Sequence, residues 1–501
     1  MIDAFNHLYG GLAIAMQPKY LIYCLVGCFW GSIVGVLPGL GPLAGMALLL
    51  PLTFTLDPTG AIIMLSGIFY GAMYGGSTTS ILMRIPGEAA SVVTCIDGYE
   101  MARKGRAGAA LTIAALGSFV GGVASVFGLM LLAPSLADAM LAIGPAAEFT
   151  ILMAALLISV FAASSPPLKT IAMVALGLVL AMIGLDPLTA TPRFTFGSLE
   201  LSDGLNFAAM AIGLFGISEI LLSFGQKAGD RPKAPRLREM IPTRREMKDS
   251  VMPTVRGSFI GFFFGIVPGV GHIVSTFASY AVEKGLSKTP EEFGKGAVAG
   301  VAGPETANNA TTGAAMIPLL VLGIPAIPVT AVLLSALTIH GIQPGPTMIV
   351  DHPQIFWGLI ASMLVGNFML VLLNLPLVGL FVSMLRIPYG YLAPVILLIS
   401  LIGVFSIKAS SFDLLVMIIC GMIGYILRRG GYDIAPLLLA FVLGDRIEVN
   451  FRRALTISDG DYAIFLKGPA AQISLSVVVA STVTIIGYRL WKRSQKKPIP
   501  I

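Results

Sequence analysis

Long apolar runs separated by short polar segments cover almost the whole chain of 501 residues. Several runs are about twenty residues long or longer, and a helix of that length crosses the ~30 Å hydrocarbon core of a lipid bilayer. These runs lie near residues 20–37, 107–134, 145–163, 168–185, 205–225, 354–384, 388–406, 410–428 and 468–490. The pattern predicts an all-α, polytopic membrane protein.

The composition supports this prediction, since 56% of the residues are hydrophobic and only 12% are charged, unlike a soluble domain. The four cysteines fall in or beside apolar runs and are interpreted as packing residues: Cys24, Cys28, Cys95 and Cys420. The net charge of +6 comes without an aromatic-interleaved basic surface, so no nucleic-acid partner is expected.

One glycine- and proline-rich segment occurs twice. GCFWGSIVGVLPGLG, residues 27–41, returns as GSFIGFFFGIVPGVG, residues 257–271, with every matched position at the same offset along the chain. The matched small residues, Gly27, Gly31 and Gly35 with Gly257, Gly261 and Gly265, are typical of closely packed membrane helices. The repetition predicts two related halves, and paired segments of this kind indicate the binding site of a secondary transporter.

The Pro-Gly-x-Gly end of each copy, residues 38–41 and 268–271, predicts a break in the helix. Proline lacks a backbone donor, and glycine permits left-handed backbone. A break at membrane depth is tolerated only where the freed carbonyl and amide groups face protein or a water-filled cavity. Such carbonyls bind Na⁺, and helix N-termini attract anions. We therefore expect broken helices or re-entrant hairpins from both halves to meet near the bilayer midplane.

A second pair of segments is polar in an apolar setting, residues 74–88 and 303–326. At nearly the same offset as the glycine segments, Ser77, Thr78 and Thr79 fall opposite Asn308, Asn309 and Ala310, and the offset is larger at Pro86 and Pro325. Neutral oxygen atoms of this kind suit Na⁺, and the same hydroxyl and amide donors suit a carboxylate. The alternative is that Ser and Thr close onto their own helix and Asn side chains tie helices together.

Three ionisable residues stand out near these segments. Arg84 lies within an apolar run, where a charge is a functional hypothesis by default, and its planar guanidinium suits a carboxylate. The alternative for Arg84 is an ion pair with Glu88 or an interfacial position. Glu305 either balances the charge of a bound cation or pairs with Lys295. His272, after the second turn, is either a packed side chain or a proton carrier.

Charge along the chain predicts the topology. The polar stretch 226–256 holds nine basic and four acidic residues, and short basic loops mark the cytoplasm. We expect a first membrane repeat at 1–225, a basic cytoplasmic linker at 226–256 and a second repeat, of inverted topology, at 257–501. An added crossing near residues 434–443 would return the basic C-terminal tail to the cytoplasm.

Two other functions are weighed against transport. A passive channel would use the same fold without an ion gradient. An intramembrane hydrolase would use Asp433 and Asp445, but the glycine expected in its second motif is Val442. The chain has neither an H-E-x-x-H motif nor a nucleotide-binding G-x-x-x-x-G-K-[ST] loop, and we predict that it is not an enzyme.

Several long blocks resemble the large membrane subunit of the tripartite tricarboxylate transporters, a bacterial inner-membrane family. They include LPGLGP, YGGSTTSIL, IPGEAASVVTCIDGYEMARKGRAGAAL, FASYAVEKGLSKTPEEFGKGAVAGVAGPETANNATTGAAMIPLLVLGIPA and GIQPGP. The resemblance implies secondary uptake of a di- or tricarboxylate, usually driven by sodium. It also implies two partners, a small membrane subunit and a periplasmic solute-binding protein. Arg84, where the family typically has asparagine, and His272, where it has a small residue, depart from the pattern and bear on substrate preference.

The expected function is therefore ion-coupled carboxylate uptake across the bacterial inner membrane. No catalytic residue is expected, and no cofactor besides the co-transported Na⁺ or H⁺. Na⁺ is expected near Gly39, Gly269 and Asn308. The predicted substrate- or ion-binding residues are Pro38, Gly39, Gly41, Ser77, Thr78, Thr79, Arg84, Pro86, Gly87, Pro268, Gly269, Gly271, Asn308, Asn309, Thr311, Thr312 and Pro325.

Overall fold

The computed structural model of the chain describes residues 2–37, 41–141, 143–163, 165–223, 235–268, 271–384 and 389–468, with residues 472 and 476. Helices dominate this part of the chain, which confirms the all-α prediction. Its strands form one antiparallel pair, β1 (Gly184–Leu185) and β2 (Pro192–Arg193), with Gly184 opposite Arg193.

The α-helices are α1 (Ile2–Ala15), α2 (Pro18–Val36), α3 (Gly41–Thr53), α4 (Pro58–Met83), α5 (Thr94–Met101), α6 (Ala107–Leu141), α7 (Pro145–Ala162), α8 (Pro167–Ala181), α9 (Leu199–Ser202), α10 (Phe207–Ala211), α11 (Ser218–Ser223), α12 (Arg244–Ile266), α13 (Gly271–Leu286), α14 (Ala299–Ala314), α15 (Pro328–Ile339), α16 (Met348–Asp351), α17 (Pro353–Asn374), α18 (Val378–Met384), α19 (Tyr389–Lys408), α20 (Ser411–Arg429) and α21 (Ala435–Ile457). Short 3-10 helices span Ala89–Val92, Leu237–Met240, Pro290–Glu292 and Tyr462–Leu466. Ala102–Arg106, Ile212–Ile217 and Pro318–Leu322 are π-helical.

Four helical stretches of the described residues are long and apolar enough to cross a membrane: Pro18–Val36, Thr94–Leu141, Pro353–Asn374 and Ser411–Arg429. Shorter apolar helices of 10–17 residues lie between them along the chain. Together they indicate a multi-pass membrane protein, as the hydropathy pattern predicts. The predicted run 468–490 lies almost wholly outside the described residues. The added crossing proposed near 434–443 falls in the first half of α21 and stays a prediction.

The chain forms two compact units. Unit 1 comprises residues 1–138 and 206–429, and unit 2 comprises residues 139–205 and 430–501. Each unit therefore contains segments from both predicted halves, and neither predicted half coincides with one compact unit. The boundaries and inverted topology of the repeats remain predictions. Within the predicted linker 226–256, the stretch from Arg244 onward is the start of α12.

Glycine stripes fix the helix packing of unit 1. A Cβ added to Gly31 of α2 would lie 2.3 Å from the carbonyl oxygen of Ile68 on α4, and one on Gly261 of α12 would lie 2.3 Å from that of Ala307 on α14. One helical turn to either side, the same contacts recur: α4 meets Gly27 and Gly35, and α14 meets Gly257 and Gly265. The repeated glycines therefore let two pairs of helix backbones touch, as their spacing predicts.

These contacts correct the sequence alignment of the second pair of segments. The glycines of α2 touch Met64, Ile68 and Ala72, and the matching glycines of α12 touch Gly303, Ala307 and Thr311. Ile68 of α4 therefore corresponds to Ala307 of α14. When this correspondence is continued along both segments, Ser77 pairs with Met316. The sequence alignment of Ser77 with Asn308 is therefore wrong. Similar side-chain chemistry suggested that alignment, whereas the packed faces of the helices determine the correspondence.

A partly buried ion pair holds the start of α12 in place. The Arg106 guanidinium donates to both carboxylate oxygens of Glu246, over 2.9 and 2.5 Å. Glu246 also accepts from the backbone N–H of Thr243, the N-cap of α12, and the Thr243 hydroxyl caps the helix in return. The Arg106 guanidinium lowers the pKa of the Glu246 carboxyl to about 2.

Unit 2 is built around α21, which packs against α7 and α8. A Cβ on Gly177 of α8 would lie 2.2 Å from the carbonyl oxygen of Leu437, so these two backbones also touch. An ion-pair network joins α21 to the β1–β2 segment. Arg193 Nη1 lies 2.8 Å from Glu448 Oε1, and Arg452 Nη1 lies 2.7 Å from Asp186 Oδ2.

The glycine contacts predict a steric effect of one methyl group. Gly31→Ala places its Cβ against a backbone carbonyl, so α2 must move away from α4, at a cost of about 1–3 kcal/mol of overpacking strain. The measurement is the thermal unfolding midpoint of the detergent-purified protein. Gly10→Ala is the matched control, since Gly10 lies in α1 with nothing within 4 Å of its Cβ position. Equal midpoints for the two variants would contradict close backbone contact at Gly31.

The Arg106–Glu246 pair predicts a pH-dependent contribution to stability. Because the pKa of Glu246 is lowered in the folded protein, the pair stabilises fully above the carboxyl's ordinary pKa and loses this effect as pH falls toward about 2. The difference in unfolding midpoint between wild type and Glu246→Gln should be constant from pH 6 to pH 8 and shrink steadily below about pH 4.5. A difference that grows on acidification would refute the assignment.

Candidate binding site

Both predicted helix breaks are present. α2 ends at Val36 and α3 starts at Gly41, while α12 ends at Ile266 and α13 starts at Gly271. The residues after the first helix of each pair have the same extended backbone, with φ −81° and ψ 109° at Leu37 and φ −84° and ψ 110° at Val267. Gly41 and Gly271 open the next helices with φ of 62° and 66°, values that favour glycine. Pro38, Gly39 and Gly269 lie outside the described residues, whereas Pro268 is described.

The hydroxyl residues at the end of α4 lie beside the first break. Ser77, Thr78 and Thr79 are all buried. Thr79 Oγ1 donates to the carbonyl oxygen of Val36 over 2.6 Å, so it satisfies one of the orphan carbonyls at the end of α2. Gly87, in the predicted Pro86-Gly87 motif, packs so closely on the Gly35 carbonyl that a Cβ would lie 2.1 Å from it. The chain after α4 therefore folds back onto the end of α2.

Arg84 does not pair with Glu88. It ends α4 with a left-handed backbone, φ 59°, and its exposed side chain lies over the ring of Tyr99, with Cζ 5.7 Å from the ring centre. Arg84 is thus available at the protein surface rather than buried among the hydroxyl residues, and its role as a carboxylate ligand remains a prediction.

A polar stripe runs along α14. Its members, Glu305, Asn308, Asn309 and Thr312, share one face through their i, i+3, i+4 and i+7 spacing, and each is at most 2% exposed. Asn309 Nδ2 donates to Ser118 Oγ on α6 over 2.7 Å. Thr312 Oγ1 donates to the Asn308 carbonyl over 3.0 Å and contacts His272 Nε2 at 3.0 Å. We call these four residues the α14 stripe.

Glu305, at one end of the α14 stripe, binds hydroxyls of the first half. Ser77 Oγ donates to its Oε2 over 2.5 Å, and Thr94 Oγ1 donates to its Oε1. Lys295, its predicted alternative partner, instead offers its backbone carbonyl to Lys104 Nζ over 2.5 Å. Glu305 is therefore a buried carboxylate held by two hydroxyl groups.

A second carboxylate lies next to the stripe. Glu88 accepts from Asn308 Nδ2 over 3.1 Å and from the backbone N–H of Ala90 over 2.7 Å, and its aliphatic stem covers Gly76. The sequence pattern indicated Glu88 only as a partner of Arg84 and gave no role to Thr94. The presence of Glu88 and Glu305 in apolar surroundings was the available signal, since buried charges in membrane proteins are costly and functional by default.

The second break contacts the other end of the stripe. His272 packs edge-on against Phe69 of α4, with ring centres 5.6 Å apart, and it is buried, which fits the interpretation as a packed side chain. Thr311 Oγ1 is 3.0 Å from the Gly261 carbonyl and 2.8 Å from Ser275 Oγ, so it ties α14 to α12 and α13. Ile327, two residues after Pro325, lies 3.5 Å from the Cβ position of Gly271.

Asp97 on α5 holds the segment of chain that precedes α14. Its Oδ1 accepts from the backbone N–H groups of Gly294, Gly296 and Ala297 over 2.7–2.8 Å. Its Oδ2 accepts from the Tyr280 hydroxyl over 2.8 Å. Since Asp97 is fully buried, these four donors make a charge-assisted clasp between the first half and the segment that leads into α14.

The two aspartates of the hydrolase alternative lie apart. Asp433 accepts from the backbone N–H of Ala435 at the start of α21, over 3.1 Å. Asp445 lies ten positions beyond Ala435 on the same helix, which corresponds to about 15 Å. A catalytic aspartate pair requires carboxylates about 3 Å apart, so this arrangement does not match one. Among the described residues, no group of three or more His, Cys, Asp or Glu side chains forms a metal site.

Comparison with known proteins identifies similar sequences. The family model described as the tripartite tricarboxylate transporter TctA family matches residues 21–439. An uncharacterized 52.8 kDa protein in the TAR-I ttuC' 3' region of Agrobacterium vitis is 47% identical over 483 residues, 96% of each chain. A protein in the TAR-II ttuC' 3' region of the same organism is 53% identical over 211 residues, covering 42% of this chain and 87% of the relative. No solved structure matches significantly.

The Asp97 clasp predicts a stability loss on neutralisation. Asp97→Asn keeps the side-chain shape but weakens charge-assisted hydrogen bonds, which contribute about 1.5–3 kcal/mol each against about 1 for neutral ones. We expect a lower unfolding midpoint in detergent, and a still lower one for Asp97→Ala, which removes the acceptor from three backbone N–H groups, that of the buried Ala297 among them. Asp351→Asn, at an exposed position at the end of α16, is the control. Wild-type stability in Asp97→Ala would contradict the clasp.

Proposed function

The chain belongs to the tripartite tricarboxylate transporter TctA family, a family of transporter permeases, and we propose that it carries a di- or tricarboxylate across the bacterial inner membrane by ion-coupled secondary uptake. Na⁺ is the proposed coupling ion. The family belongs to three-component systems with a small membrane subunit and a periplasmic binding protein, and we infer that both act with this chain. The periplasmic partner would deliver the substrate.

The matched helix breaks are the observation that carries the proposal. Each interrupts a glycine-packed helix at the same position and with the same backbone angles. In secondary transporters, broken helices place free backbone groups at the substrate and ion sites. A channel or a purely structural bundle has no need to repeat this costly interruption in both halves.

The first turns of α3 and α13 supply the chemistry for an organic acid. These helices have 13 and 16 residues, and backbone N–H groups at a helix N-terminus favour negative charge. Hydroxyl donors at the end of α4 lie beside the first break, and the Thr312–His272 contact lies beside the second. Arg84, exposed at the end of α4, is the proposed residue for attracting a carboxylate during entry. The carboxylate would bind between the two helix starts, with access alternating between the two sides of the membrane.

The runner-up function, a passive channel, predicts carboxylate flux without any ion gradient. The buried Glu88 and Glu305 favour coupling, because a pore for anions gains nothing from two carboxylates in its interior. The hydrolase alternative is disfavoured, because Asp433 and Asp445 are too widely separated to form a catalytic pair.

The proposal predicts that two side chains in the buried polar cluster are essential for uptake. Ser77→Ala removes a donor to Glu305, and Asn308→Ala removes the donor to Glu88, so each should lower uptake at least about tenfold, equivalent to about 1.4 kcal/mol. The measurement is accumulation of radiolabelled citrate and succinate by cells that express all three components, with membrane insertion checked by immunoblotting.

Thr338→Ala is the matched control, since Thr338 is exposed and its hydroxyl bonds only its own helix, at the Leu334 carbonyl. It should leave uptake unchanged. Wild-type uptake in both Ser77→Ala and Asn308→Ala would exclude the site. With the Na⁺ and proton gradients intact, a carrier should accumulate either substrate, and collapse of both gradients should abolish the accumulation. Uptake that only equilibrates in both conditions, with unchanged initial rates, would favour the channel.

A further inference from the structure

We propose that Glu88, Glu305 and Asn308 form the binding site for the co-transported Na⁺, with the hydroxyl oxygens of Ser77 and Thr94 as further ligands. This inference rests on the proposed function and relocates the ion from the two glycine turns, where the sequence pattern placed it together with Asn308. From the sequence, Glu305 was a candidate partner of a cation, whereas Glu88 was not.

The first observation is the uncompensated negative charge. Glu305 is 1% exposed and Glu88 is 9% exposed, and in the described part of the chain neither forms an ion pair with a lysine or arginine. Taking an ionised carboxylate out of water costs several kcal/mol unless a counter-charge is supplied. A cation between the two side chains supplies it.

Glu283 shows how the same chain treats a buried glutamate that has a structural role. Its two carboxylate oxygens accept from the Arg256 guanidinium over 2.8 and 2.5 Å, and it is 2% exposed. The protein therefore neutralises one buried glutamate with an arginine, and it leaves Glu305 and the adjacent Glu88 to hydroxyl and amide groups. This contrast points to an exchangeable counter-charge at Glu88 and Glu305.

The second observation is independent of the acidic residues. Asn308 is 1% exposed, its Nδ2 donates to Glu88, and its Oδ1 is buried without any hydrogen-bond partner among the described residues. A buried carbonyl-type oxygen without a donor is costly. Because both amide atoms are on one planar group, Oδ1 lies within about 2.3 Å of the atom that contacts Glu88.

Na⁺ and a proton both account for the missing counter-charge, and a protonated carboxyl would also be a hydrogen-bond donor for Asn308 Oδ1. The oxygen ligands favour Na⁺, and the acidification arm of the test separates the two. A hard cation prefers oxygen ligands, and carboxylate, amide and hydroxyl oxygens are all of this type. A divalent ion held by two carboxylates would bind strongly, and a transported ion must also leave. The site therefore suits Na⁺.

The position of the site also suits coupling. Glu305 and Asn308 belong to α14 in the second half, whereas Glu88, Ser77 and Thr94 belong to the first half. Na⁺ would therefore bridge the two halves. Through Thr312, one turn from Asn308, the α14 stripe reaches His272 beside the second helix break. Ion binding can thus favour the arrangement of the halves in which the carboxylate site is formed.

The test measures ion binding without substrate or transport. We expect NaCl, but not KCl or choline chloride at equal ionic strength, to raise the unfolding midpoint of the detergent-purified full chain. Glu305→Gln, Glu88→Gln and Asn308→Ala should abolish this Na⁺-specific rise or increase the half-maximal Na⁺ concentration at least about tenfold. Glu305→Asp, which keeps the charge, should retain a Na⁺-specific rise at higher Na⁺. Glu200→Gln removes an exposed carboxylate and should behave as wild type.

Each outcome decides between defined alternatives. Each variant is first checked for a single size-exclusion peak in KCl, and Asn308→Ala carries the test if the glutamate variants do not fold. An unchanged Na⁺ response in Asn308→Ala and in any folded glutamate variant overturns the site. A rise on acidification in place of a Na⁺ response would assign the pair to protons, and a response to CaCl₂ alone would assign it to a divalent ion. Na⁺-independent uptake by the complete system would refute the proposed coupling itself, whatever the binding result.

Discussion

Direct contact between helix backbones is the constraint on which unit 1 depends. Association of helices in lipid gains little from the hydrophobic effect and relies on close packing. Gly31 and Gly261 bring α2 onto α4 and α12 onto α14 at distances that leave no space for a methyl group. These contacts hold the ends of α2 and α12 at fixed positions along their partner helices. Thr79 and Thr311 then bond carbonyl oxygens of α2 and α12.

The two halves repeat the packing but not the chemistry. Both have a glycine-packed helix, a break and a following helix that begins with a left-handed glycine. The first half contributes hydroxyls and Glu88, and the second contributes the α14 stripe. Asp97 adds a further bond between them by holding the segment before α14. A repeated frame with different polar groups on each side is suited to binding two different ligands, an ion and an organic acid.

Sequence analysis predicted the features that depend on local chemistry. The helix class, the breaks after Leu37 and Val267, and the close packing of the repeated glycines follow from hydropathy and from the backbone properties of glycine and proline. It also pointed to Ser77, Asn308 and Asn309, which the structure places in one buried cluster with Glu305. The residue alignment between α4 and α14, which paired Ser77 with Asn308, was wrong, because it was judged from side-chain type. The Glu88–Asn308 and Glu305–Thr94 contacts join residues far apart in the sequence, and no local pattern indicates such pairs.

The central claim is that the paired breaks and the buried carboxylates together form one ion-coupled carboxylate site. The most direct measurement is electron cryo-microscopy of the full transporter in lipid nanodiscs, with NaCl and citrate and with KCl alone. We predict Na⁺-dependent density among the oxygens of Glu88, Glu305 and Asn308, and density for the organic acid between the first turns of α3 and α13. Density for both ligands elsewhere, with the two helix starts covered by lipid, would contradict the claim.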